Sequence, residues 1–223
     1  MVGTGTISTT GTSGTTIKGP NLTFNTSGTV TLQSGQTLNF YSGTLTYTAG
    51  TVITTGSTLG YSTGSGVTSV TYNTAGIVWN NISIVAQVTI TNNSLLTATG
   101  QSTFGQAAIG WTGSNGFRLS KLDITATNSS AIYTLKPGLT YTVVDQFTAN
   151  TNVSGENHPI FKSGTPGTKA NLKFDKYSGT CYLGYINFTD IDASGGRTIT
   201  TFHGSLSNTT NIKSFTDSQV VGF

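Results

Sequence analysis

Apolar and polar residues alternate along much of this chain, as in Thr29-Val30-Thr31-Leu32, Leu38-Asn39-Phe40, Leu45-Thr46-Tyr47 and Val88-Thr89-Ile90. A period of two marks strands with one buried and one solvated face. Residues 82–85, 88–90, 122–125, 139–144, 172–174, 186–188 and 212–215 read as further strands. No window places apolar residues at i, i+3, i+4 and i+7 between helix caps, so the pattern predicts a protein that is nearly all β. Strand-like segments and Gly-rich turns recur at uneven intervals, without clear Asn-Gly or Asp-Gly hairpin signals. That favours a parallel β-helix, or β-solenoid, whose coils carry loops of different length. A β-sandwich of the jelly-roll kind is the alternative.

Residues 28–42 align with 43–57, matching Gly, Thr, Thr, Gly and Ser at the same offsets and setting Val30 over Leu45 and Leu38 over Ile53. This is an internal repeat of 15 residues, and 14–27 is a looser copy. Fixed spacing predicts units that bury their apolar sides against one another. Fifteen residues is short for a three-sided coil and suits a two-sided coil or a strand pair. Beyond a turn-rich stretch at 56–66 the strict period is lost. The chain therefore divides into a Thr/Gly/Ser-rich repeat segment, residues 1–75, and a solenoid-like body, residues 76–223.

Composition sharpens this picture. The 46 Thr, 29 Gly, 24 Ser and 17 Asn make up more than half of the 223 residues, which would predict disorder if the apolar residues did not alternate. From Gly19 to Phe117 there are 99 residues without Asp, Glu, Lys, Arg or His. Acid-base, metal and phosphate chemistry draw on those side chains, so this segment is built for shape and surface rather than catalysis. Apart from Lys18, every charged residue lies at or after Arg118, and the net charge of +3 is spread thinly. Nucleic-acid binders concentrate Lys and Arg on one face, so no nucleic-acid partner is expected. A lone cysteine, Cys181, excludes an internal disulfide framework and reads as a small apolar residue in a strand. The first residues carry neither a basic region nor an apolar run, and no run reaches the ~20 residues that span a bilayer, so no membrane insertion is expected. An exposed, hydroxyl-rich β protein without an export signal fits a phage virion, since virions leave the cell by lysis.

The last third contains Ser163-Gly164-Thr165-Pro166-Gly167-Thr168-Lys169-Ala170, then Tyr185-Ile186-Asn187-Phe188-Thr189-Asp190-Ile191-Asp192-Ala193-Ser194-Gly195-Gly196. This order resembles a repeat-rich β-solenoid module of phage fibre, decoration and bacterial surface proteins. In that module an "ST-PGT-A" turn precedes a strand and a "Y-x-x-F-x-D-x-D-A-x-G-G" coil follows. Gly164 stands where a second small hydroxyl residue is often seen. The resemblance covers about the last 90 residues and implies architecture, with no catalytic residue to carry across.

Asp190 and Asp192 are the one close acidic pair, and a two-residue spacing on a strand would put both carboxylates on one face. Set roughly 5–9.5 Å apart they could cleave a glycoside, as in tailspike depolymerases. Ca²⁺ would need more oxygens than the pair supplies. The competing reading is a turn whose Asp side chains bond nearby backbone N–H groups. His158 and His203 lack flanking ligand patterns, and no metal or other cofactor is implied. Glu156, the only glutamate, has no obvious partner. Trp79, Trp111, Tyr61 and Tyr72 are either core residues or a stacking platform for sugars. Trp79 and Trp111 are the candidate glycan contacts, Trp111 the better because its neighbours are loop formers.

The leading expectation is thus a phage virion structural protein, a head decoration or fibre protein or a tail-fibre component, with a structural and adhesive role and no enzymatic activity. It would sit on the particle surface with capsid or tail proteins as partners, possess affinity for a host-surface glycan, and self-associate. A trimer is expected from the likeness to viral fibres. The alternatives are a polysaccharide-degrading spike using Asp190 and Asp192, and a carbohydrate-binding module of a bacterial surface protein.

Overall fold

The computed structural model describes residues 5–7, 15–17, 21–40, 43–61, 69–105, 108–126, 131–150, 158–176 and 179–216. Lys18 and Glu156 lie outside the described residues. All regular structure among these residues is strand, in two sheets of 10 and 13 strands. Every strand pairing is parallel, and the chain alternates between the sheets, in places laying two successive strands in the second before returning to the first. The chain is a parallel β-helix. Sandwiches are built from antiparallel pairs, so the jelly-roll alternative is set aside.

One turn of the helix is seen in strand Ile109–Gly113 on the first sheet and strand Phe117–Ile124 on the second. The longer strand bends: its pairing with Leu96–Phe104 shifts register between Ala98 and Gln101, and with Thr140–Asn150 between Leu119 and Lys121. Thr140–Asn150 accordingly pairs Ala170–Phe174 with its first limb and Thr180–Gly184 with its second. The second sheet thus folds into two faces, and the coil in this half of the chain is three-sided.

Alternation decides what fills the coil. Inward residues stack in register through the coils, as in Tyr133, Phe161 and Phe188. Their rings lie 4.7 and 5.7 Å apart, within the range in which aromatic pairs add to simple area burial. Outward residues form ladders of their own. Thr44, Thr71, Thr91 and Thr112 are in-register neighbours on the first sheet, and the Thr91 and Thr112 hydroxyls hydrogen-bond at 2.9 Å. Stacked β-branched side chains suit a pleated surface, which accounts for the abundance of threonine.

The coil does not follow the 15-residue repeat. Val30 pairs with Val52 rather than standing over Leu45, Leu38 pairs with Leu59, and Leu45 pairs with Leu22. Strand Thr58–Tyr61 lies within the stretch expected to be turns. The pairing also runs unbroken across residue 75, since strand Ser69–Asn73 is flanked by Gly43–Ile53 and Val88–Asn92. Buried residues from Phe24 to Ile212 form one hydrophobic cluster.

Candidate functional site

Trp79 and Trp111 are 0 % and 2 % exposed, and Tyr61 and Tyr72 are buried with them. The expectation of an indole platform is corrected: both tryptophans belong to the core. Its neighbours Gly110, Thr112 and Gly113 are part of strand Ile109–Gly113, and Trp111 is an inward residue there, in register with Ile90. Its ring packs on Phe104, Phe117 and Tyr141 at 5.1, 5.4 and 6.2 Å.

Asp190 and Asp192 do not line up along one strand. Asp190 takes a left-handed φ of 54° at a corner between strands Asn187–Thr189 and Ile191–Asp192. Its Oδ1 accepts from Asn208 Nδ2 at 2.5 Å and its Oδ2 from the Gly167 N–H at 2.9 Å. Asn208, also left-handed, thus sits against Asp190 from the following coil, and Gly167 belongs to the Pro-Gly-Thr turn of the preceding one. Asp192 Oδ1 accepts the Ser194 N–H at 2.8 Å, closing a local turn. The bonds from Asn208 and Gly167 hold the Asp190 carboxyl below the usual carboxylate range, and those from Ser194 do the same for Asp192. General-acid work needs a carboxyl shifted the other way. Their hydrogen bonds make these two turn locks, the second of the readings open from the sequence.

Cys181 is half-buried against the core, and burial pushes its thiol up, away from thiolate reactivity. His158 and His203 converge on one side chain that the sequence did not single out. Tyr185 lies 5.0 Å from each ring and stacks on His203 at an interplanar angle of 13°. Tyr185 and His203 are both left-handed corner residues, and repeated corner geometry brings their rings together. Among the described residues no group of three or more His, Cys, Asp or Glu side chains gathers to hold a metal ion.

Three features stand out on the outer surface. One is a ladder of rings near the C-terminal end of the second sheet. Tyr182, 50 % exposed, stands 5.3 Å from the partly exposed Phe202, which stands 6.2 Å from Phe215. Phe202 and Phe215 are in-register partners on strands Ile199–Phe202 and Ile212–Phe215, so the ladder rests on a rigid floor. A second feature is a groove of about 700 Å³ whose lining includes Phe215, Lys173, Asp175, Arg197, Thr200 and Lys213. The third is a groove of about 500 Å³ on the first sheet, floored by Thr89, Gly110 and Thr134. It opens where in-register pairing with strand Ile132–Leu135 stops at Gly110, and Lys136 Nζ donates to the Gly113 carbonyl at 2.6 Å beside it.

Sequence reasoning missed the ring ladder for a definable reason. Tyr182, Phe202 and Phe215 lie on different coils, and only the register brings them together. Their alternation against the inward Leu183, Thr201 and Ser214 was the available signal. Compared with known proteins, the chain matches no family model, no curated protein and no solved structure.

Proposed function

We propose that this chain is a structural and adhesive protein of a particle surface, a phage virion component such as a head decoration or fibre protein or a part of a tail fibre. The observation that carries the adhesive half is the ladder of Tyr182, Phe202 and Phe215, three rings held outward on a paired sheet. Sugars present flat C–H faces to such rings, and a rigid aromatic floor binds with little ordering cost.

The structural half draws support from the fold. A closed stack of parallel coils has its backbone hydrogen bonds inside the ladders, and its outer rows of threonine need no charge to face water. Four exposed aliphatic residues, Ile53, Val78, Val85 and Leu95, lie in the half that carries no charge. In a fibre a trimer would cover them. The turn-lock role of Asp190 and Asp192 favours this reading over a glycan-cleaving one.

Mass spectrometry of purified particles, with the solution mass of the recombinant protein, tests the proposal. Stoichiometric abundance in virions and an oligomeric recombinant form are the expected results. A monomer absent from every particle overturns the virion reading. Loss of glycan-array binding in Phe202→Ala, with unchanged thermal stability, is the expected sign of adhesion through the ladder.

A further inference from the structure

The groove that Phe215 helps to line gathers cationic side chains. Each of the five described aspartates accepts hydrogen bonds from its own surroundings: Asp123 from Thr148, Asp145 from Ser120, Asp175 from Arg118, Asp190 from Asn208 and Asp192 from Ser194. Accepting these bonds leaves each carboxylate its charge, so the balance at any place is set by how many lysines and arginines gather there. Lys173, Arg197 and Lys213 line this groove against one carboxylate, Asp175. Lys173 and Arg118 already share that carboxylate, at 2.8 and 3.2 Å.

Arg197 is fixed in place. Its Nη1 donates to the carbonyls of Lys176 and Gly179 at 3.0 and 3.3 Å, and its guanidinium carbon lies 5.8 Å from the centre of the Phe174 ring. A cation positioned before its ligand arrives loses little freedom on binding. Lys213 is exposed, in register with Thr200, and makes no ion pair among the described residues. Thr200 adds a hydroxyl group to the same walls.

We propose that this groove binds the anionic unit of an acidic polysaccharide, with Lys213 and Arg197 meeting the sugar carboxylate and Phe215 taking the apolar face of the ring. The inference rests on the adhesive reading above and narrows its ligand class. A nucleic acid fits less well, because it needs cations that track a long phosphate backbone. Here the cations converge on one pocket, and the row beyond it consists of rings.

The test is a binding panel of polygalacturonate, alginate, hyaluronate and polysialic acid, each beside its carboxyl-reduced neutral form, with single-stranded DNA as a further probe. At least one acidic glycan should bind about tenfold or more tightly than its reduced form, a preference that weakens with added salt. Lys213→Gln should remove most of that preference and leave the neutral arm unchanged, while Phe202→Ala weakens both arms. Equal binding of acidic and reduced forms, unmoved by Lys213→Gln, overturns this inference and leaves the adhesive reading standing. No binding in either arm overturns both. DNA that binds as tightly as the best glycan and competes for Lys213 overturns the glycan assignment in favour of a general polyanion site.

Discussion

Asp190 shows how a residue type that reads as chemistry can be consumed by architecture. Both of its oxygens accept hydrogen bonds, from Asn208 and Gly167, and its backbone holds a left-handed corner. Asparagine tolerates that conformation but offers one acceptor oxygen instead of two, so Asp190→Asn should unfold at lower temperature than the parent at neutral pH. The sign of the acid response follows from the depressed carboxyl groups. Asp145 is held down first by Lys176 and Asp175 first by Lys173, beside Asp190 and Asp192. Folded values below the unfolded value of about 3.9 contribute stability that is complete above that pH and is lost as pH falls through the folded values. Thermal melts from pH 6 down to pH 2 should therefore show a falling midpoint below about pH 4, with a shallower fall in Asp190→Asn. At Trp111 the expectation concerns stability rather than affinity. Removing a fully packed indole should cost about 3–5 kcal/mol, read by chemical denaturation. A Trp111→Ala protein of parental stability would show that the ring is not part of the core.

At the scale of strands and corners, alternation in the sequence located most elements well. Expected segments at 82–85, 172–174 and 212–215 correspond to strands Asn81–Ile84, Ala170–Phe174 and Ile212–Phe215. Register was not legible, because loops of unequal length separate coils. In-register neighbours Thr91 and Thr112 are 21 residues apart, Asp123 and Thr148 are 25 apart, and Ile199 and Ile212 are 13 apart. A repeat of identical residues at a fixed offset, such as 28–42 with 43–57, reflects shared strand and turn chemistry and not vertical stacking. Corners impose their own requirements. A Cβ at Gly204 would run into the carbonyl of Ile186 and the Thr201 hydroxyl. That corner also carries Thr201 Oγ1 donating to the Ile186 carbonyl at 2.9 Å. Gly204→Ala should therefore lower soluble yield and melting temperature far more than Gly195→Ala, whose Cβ would meet open space. Equal behaviour of the two variants would refute the close approach at this corner.

Across the whole molecule, one continuous core carries two unlike surfaces. The uncharged half presents threonine ladders and exposed aliphatic side chains, and the charged half presents the ring ladder and the cation-lined groove. The proposed division of labour, assembly through the first and adhesion through the second, predicts separable defects. Val78→Asp should shift the oligomer toward monomer in light-scattering measurements without altering glycan affinity, and Lys213→Gln should do the reverse. The sequence by itself determined that the chain is nearly all β, that hydroxyls in place of charges face the solvent, and that parallel coils are favoured over hairpins. Those properties rest on a period of two and on turn chemistry, which act between near neighbours. Tertiary structure alone decided that Trp111 points inward, that Asp190 and Asn208 lock adjacent corners, and that Lys173, Arg197 and Lys213 share one groove. Such convergences depend on how many residues each loop spends between coils, and that number sets the register without leaving a periodic trace in the chain.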